Sequence, residues 1–435
     1  LKAAVEDLKE VLKQDPNSQP GLYFMAQTNL NLGLIDQARA FAGDLDKNYP
    51  DYLPGKLIQV QINLAAGDPK NASTQASDLL AKLSKTAPDR ENSAELLAEI
   101  KEKTLLAHGT AQLQLAPPNL AAARQDFTAA RDVAPNDPNV YNSLAVVSTL
   151  ENKPDEAASF FESSLKIDGT NFNALKGMIA LYARRNEIDK AHGRIDQVLS
   201  ANPNNASLHF LKAQVYGIQR NVDGAEAELR KTLEIDPNYI AAYSALGTLF
   251  INSKQEDRAI AEYKKILELR PDNPSAYTVI GMLEDGRKNY DAAVDNYRKA
   301  LAQDQNAVIA ANNLAWLYAD GGKGNLDEAV RLAQGVVQKN PNVAGFVDTL
   351  GWVYFKKGLY AAAVEQLQKA VALDEAAAKA VNTAPSASYH YHLGVALKGK
   401  GDKAGSRREL ETALRLADKA PFASIDEARR ALATL

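Results

Sequence analysis

The sequence predicts an all-α solenoid of about eleven consecutive helix–turn–helix units closed by a C-terminal capping helix, and three observations predict it. Proline returns every 34 residues at Pro203, Pro237 and Pro271, with Pro135 two periods before Pro203 and Pro16 and Pro50 marking the same interval near the start. Small residues recur in two slots per unit: Ala26, Ala145, Ala213, Gly247, Gly281, Ala315, Gly351 and Gly394 in the first, and Ala38, Ala123, Ala157, Ala191, Ala225, Ala259, Ala293, Ala329 and Ala363 in the second. Larger side chains there would push paired helix axes apart. Apolar residues fill the positions between at helical spacing, as with Tyr243, Leu246, Phe250, Tyr263 and Ile266 in one unit. A fixed period of this length signals stacked hairpins, because one hairpin cannot bury its apolar face alone.

Taken in order, an orphan second helix at 1–16 precedes units at 17–50, 51–84, a distorted one at about 93–135, 136–169, 170–203, 204–237, 238–271, 272–305, 306–341, 342–375 and about 386–419. A final helix at about 424–434 has Asp426, Glu427, Arg429 and Arg430 on one side and Ile425, Ala428 and Leu432 on the other, as a solenoid's last element requires. Helix stops fall on schedule at Ala134–Pro138, Asp236–Asn238 and Arg270–Pro274. Gly169, Gln305 and Glu375 replace the last-turn proline without changing the spacing. Three stretches interrupt the register: the polar segment 85–92, the turn at Pro117 and Pro118, and an Ala/Ser-rich spacer from Ala376 to Ser388. The chain is therefore divided into N-terminal repeats (1–92), a distorted unit (93–135), a regular array (136–375) and a last unit with its cap (376–435).

Apolar residues make up 46% and charged residues 24%, values of a folded protein. A net charge of −4, with basic residues spread along helices, gives no positive field to gather phosphate backbones, so nucleic acid is not an expected partner. No apolar run approaches the roughly 18 to 20 residues that span a bilayer. The chain opens at Leu1 inside a second helix, so a preceding leader, anchor or repeat stays open as a route to a membrane. Cysteine is absent, which removes disulfides, thiolate metal sites and cysteine nucleophiles.

The proline period, the paired small slots and the hairpin register resemble the tetratricopeptide repeat family along essentially the whole chain. The resemblance implies a right-handed superhelix whose concave face is lined by first helices. Projected onto this register, one lining row runs Gln27, Gln61, Val146, Ala180, Gln214, Thr248, Met282, Trp316, Trp352 and Val395, and a second, four residues earlier, includes Tyr23, Asn142, Lys176, Phe210, Asn312 and Asp348. Trp316 and Trp352 share a slot in adjacent units, with Asn312 and Asp348 one turn before them and Phe355 one turn on. These five residues are the expected protein-binding site, since large aromatics beside hydrogen-bonding groups compose interaction hot spots. Packing between successive first helices is the alternative role for either indole. The carboxylate clamp of chaperone-binding members is missing, because Lys176 is followed by Ala180 and the next unit offers Phe210 and Leu211. The asparagine ladder of glycosyltransferase-linked arrays fails too, Asn313 being flanked by Val279 and Thr349.

No catalytic residue, cofactor site or metal site is expected. The five histidines lie in no motif, and His390 and His392, two apart on a helix, point about 200° apart. His390 is expected at the concave surface and His392 against a neighbouring helix. The Gly321–Asn325 turn follows a helix and lacks the spacing of a phosphate loop. The C-terminal third, with DTLGWVYFKKG and YHYHLGVALKGKGDKAGSRRELETAL, is similar to bacterial cell-envelope and exopolysaccharide-associated members. Together these imply a non-enzymatic scaffold gripping a peptide or partner helix in a bacterial periplasm or envelope. The rival reading is a regulatory or targeting region of a larger enzyme or secretion protein.

Overall fold

A computed structural model describes residues 2–322, 324–418 and 420–435, and its described residues form 24 helices and no strand. Two compact units divide the chain, Leu1–Lys231 and Thr232–Leu435. In the first, α1 (Lys2–Gln14) is followed by α2 (Gln19–Asn31) and α3 (Ile35–Asn48), α4 (Leu53–Ala65) and α5 (Pro69–Leu83), α6 (Ala94–Gln114) and α7 (Leu120–Val133), α8 (Pro138–Leu150) and α9 (Pro154–Ile167), then α10 (Phe172–Arg184), α11 (Ile188–Ala201) and α12 (Ala206–Ile218). Helix α13 (Val222–Ile235) contains the boundary. The second unit continues with α14 (Ile240–Asn252) and α15 (Glu256–Leu269), α16 (Pro274–Gly286) and α17 (Tyr290–Gln303), α18 (Val308–Ala319) and α19 (Leu326–Lys339), α20 (Ala344–Lys356) and α21 (Tyr360–Ala380), α22 (Ala387–Lys400) and α23 (Lys403–Ala417), and ends in α24 (Ile425–Ala433).

The paired small slots are where the helices of a hairpin meet. A β-carbon on Gly247 would stand 2.5 Å from the Tyr263 ring, one on Gly281 2.6 Å from Tyr297, and one on Gly351 2.5 Å from Leu367. The same approach occurs in the distorted unit, where Gly109 faces Phe127 at 2.4 Å. A methyl forced into such a contact costs about 1–3 kcal/mol.

Turns repeat as faithfully as packing. Asn152, Asn186, Arg220, Lys254 and Lys288, each 34 residues after the last, all take positive φ between first and second helices, and Gly322 continues the series at φ 62°. Asp137, Asn171, Asn205 and Asn273 cap first helices on the same period by accepting a backbone N–H of the first turn.

Residues 85–92 are an exposed non-helical connection, as their composition predicts. The expected spacer after 375 is partly helix: α21 runs on to Ala380 because Glu375, three alanines and Lys379 are strong helix formers and no proline stops them. The chain turns only at Asn382, φ 54°, and Ser386 N–H returns to Asp374 Oδ2 at 2.6 Å. Of the residues named above, Leu1 and Lys323 of the Gly321–Asn325 turn lie outside the described ones. No described helix is long and apolar enough to cross a membrane.

Candidate functional site

The row of positions directly after the small slot changes character along the chain. Val146, Ala180 and Gln214 in the first unit are exposed, as are Thr248 and Met282 in the second. Trp316 is half-buried, and Trp352 and Val395 are buried. What covers the row at its C-terminal end is an aromatic stack assembled from α18, α20 and α22.

The Trp316 and Trp352 rings lie 6.0 Å apart with planes 18° from parallel. Phe355 stacks 5.0 Å from Trp352, and the His392 ring lies 4.3 Å from Trp352 and 5.6 Å from Trp316. Trp352 is only 5% exposed, its indole N–H donating to Asp320 Oδ1 at 3.1 Å. Lys356 Nζ stands 5.0 Å from the Trp352 ring and 3.1 Å from Asp320, so cation and carboxylate close the stack's edge.

Beneath the rings, His392 Nδ1 donates to both oxygens of Asp348 at 2.9 Å, with exposures of 7% and 4%. A buried carboxylate is tolerated only with such a partner. Asp348 and burial also act on Tyr389: desolvation, then the charges of Asp348 and Asp374, push its hydroxyl up to about 12. Asn312, one turn before Trp316, donates to Asn313 Oδ1 at 3.3 Å, while its own Oδ1 is buried without a partner. The cap joins this core: Ala428 is buried with Trp352 and Tyr391, and Phe422 packs 5.7 Å from Tyr391.

The five expected site residues are thus neighbours but not equals. Trp316 and Asn312 are half-buried at the row, Phe355 flanks the stack, and Asp348 and Trp352 lie beneath the surface. His390 also departs from expectation. It is buried rather than surface-lying, because Glu409 on α23 takes its Nδ1 at 2.8 Å.

With the hairpins, their 34-residue turns and the inner row placed, comparison with known proteins decides the family. Models of the tetratricopeptide repeat match residues 1–55, 148–215, 218–283, 278–344 and 348–376, more than half of the sequence. The chain belongs to the tetratricopeptide repeat family. No curated protein sequence matches it. Solved structures similar to it include yeast Tom70 (14% identity, 97% of this chain and 95% of that chain, TM-score 0.45), MamA (24%, 40% and 94%, 0.35) and YrrB, a TPR protein with an unusual peptide-binding site (20%, 43% and 96%, 0.31).

Outside the inner row this tetratricopeptide array holds a polar cluster around His108 that sequence reasoning missed. His108 Nε2 lies 3.1 Å from Ser73 Oγ, 3.2 Å from Ser77 Oγ and 3.2 Å from Gln112 Nε2. Asp126 Oδ2 approaches its Nδ1 at 3.0 Å, off the line of a hydrogen bond. Ser73 sits inside α5, where the surrounding backbone N–H groups are spent on the helix, so no backbone donors are free to form an oxyanion hole beside it. The partners come from three helices, and no local motif records them. Among the described residues no group of three or more His, Asp or Glu is placed to hold a metal.

Proposed function

We propose that the chain is a non-enzymatic scaffold holding an extended peptide or partner helix against the first helices of its repeats. Membership in a family whose members are typically non-catalytic scaffolds supports the scaffold role. The particular site rests on one observation: Met282 is 48% exposed in the inner row, and Trp316, its successor in that row, is half-open on a stacked support. An exposed large apolar side chain beside a propped indole suits the capture of a partner's apolar residue, at little ordering cost to the protein. In this reading Trp316 and Asn312 face the partner, while Trp352, Asp348 and Phe355 hold Trp316 in place. The phrasing of the C-terminal third supports placing the complex in a bacterial envelope or polysaccharide-export assembly.

Panning a random peptide library against the chain and against Met282→Ala/Trp316→Ala tests it. Of the peptides enriched on the parent, those that carry apolar residues without paired acids are expected to lose at least about ten-fold in affinity on the variant. Equal binding to both would remove the site.

A further inference from the structure

The first unit carries a second surface with a different chemistry. On α10, Lys176, Ala180 and Arg184 form one exposed stripe, four residues apart at each step. At 1.5 Å per residue the two cations are rooted about 12 Å apart along the helix. Neither makes an ion pair with a described residue, whereas the adjacent Arg185 is held by Asp155 at 2.6 Å. Helices α8 and α12 pack beside α10 and bring exposed Val146, Leu150 and Ile218 to the stripe's flanks, Leu150 and Ile218 each 54% exposed. Among the exposed residues of α8, α10 and α12 there is no carboxylate, although the chain has 54 acidic residues against 50 basic.

We infer that this surface binds an acidic, apolar peptide segment of another protein, with carboxylates about 12 Å apart that meet Lys176 and Arg184 and apolar side chains that meet Val146, Leu150 and Ile218. Charge complementarity selects this occupant. Two isolated cations in a chain of net charge −4 are too few to gather a phosphate backbone, and the apolar flanks suit side chains. In an extended peptide the spacing corresponds to Asp or Glu at positions four apart, about 13 Å.

The test pans one random peptide library against the parent chain, Lys176→Glu/Arg184→Glu, Arg185→Glu and Trp316→Ala, with anisotropy titration of the enriched peptides and of copies carrying Gln or Asn for each acid. The expected result is enrichment of acid pairs at that spacing. The amide copies, the double charge reversal and raised salt each weaken binding at least about ten-fold, while Arg185→Glu and Trp316→Ala do not. No acidic enrichment, equal binding of the amide copies, or an indifferent double reversal overturns the inference. So does loss on Trp316→Ala, which would assign the acidic peptides to the other site. Self-association of the parent that the double reversal abolishes would make a second copy the occupant and overturn it as well. All side chains reversed in charge are exposed, and unchanged helical circular dichroism checks the fold.

Discussion

Trp316 and Trp352 lie face to face, 6.0 Å apart, yet they occupy different environments: Trp352 is enclosed by Phe355, His392 and the Lys356–Asp320 pair, while Trp316 keeps part of its surface open. Their substitutions should therefore separate. Trp352→Ala removes a buried indole and is expected to cost about 3–5 kcal/mol, with Trp316→Ala costing clearly less while impairing peptide capture. Urea unfolding followed by far-ultraviolet circular dichroism measures both. Equal destabilisation would make Trp316 another core residue.

The Asp348–His392 pair should behave as one unit. Removing either partner strands the other in an apolar surround, so Asp348→Ala and His392→Ala are each expected to destabilise by about 3–5 kcal/mol, while the double variant loses much less than their sum. A double-mutant cycle by denaturant unfolding reads the coupling. Simple additivity would show that the 2.9 Å contacts contribute little.

Glu102 makes stability in the distorted repeat depend on pH. Its side chain is 5% exposed with Oε1 unpartnered, and burial, followed by the charge of Asp137 and a hydrogen bond with it, raises its pKa from 4.5 to about 7. The folded state thus binds this proton more tightly than the unfolded chain. The favourable contribution is full below about 4.5, declines as pH rises to about 7, and leaves a constant penalty of about 2–4 kcal/mol above that. Glu102→Gln should therefore raise the denaturation midpoint at pH 8 and leave it nearly unchanged at pH 4.5. Stabilisation of equal size at both pH values would refute the buried-carboxylate account.

The architecture was legible because its determinants are local and repeated. Gly281 against Tyr297 is the same contact as Gly247 against Tyr263, so one unit's logic reads out the next. The candidate site was legible only as a neighbourhood. Trp316 and Trp352 occupy equivalent slots, and their difference comes from His392 and Asp320, which the slot does not encode. Likewise Glu102 is set by its burial and then by Asp137, 35 residues on, and His108 by serines one repeat back. Helix α21 overran its expected end because, with no proline at Glu375, the strong helix formers that follow carry the helix on.

The turns between paired helices offer the last prediction. Lys254 and Lys288 hold φ of 58° and 64°, a left-handed conformation in which a β-carbon crowds the following carbonyl, and the equivalent residue one repeat later is Gly322 at 62°. Neither lysine makes an ion pair with a described residue, so glycine there relieves the crowding without removing an ion pair. The gain is opposed by the greater freedom of glycine in the unfolded chain, which leaves an expected net stabilisation of about 0.5–1 kcal/mol per site. Lys254→Gly and Lys288→Gly should each raise the denaturation midpoint and add together, being one repeat apart. The informative control is Lys264→Gly inside α15, where the backbone is right-handed and the same replacement should destabilise by about 1 kcal/mol. If glycine destabilises at 254 and 288 as it does at 264, the left-handed turns are not the strained points of the repeat.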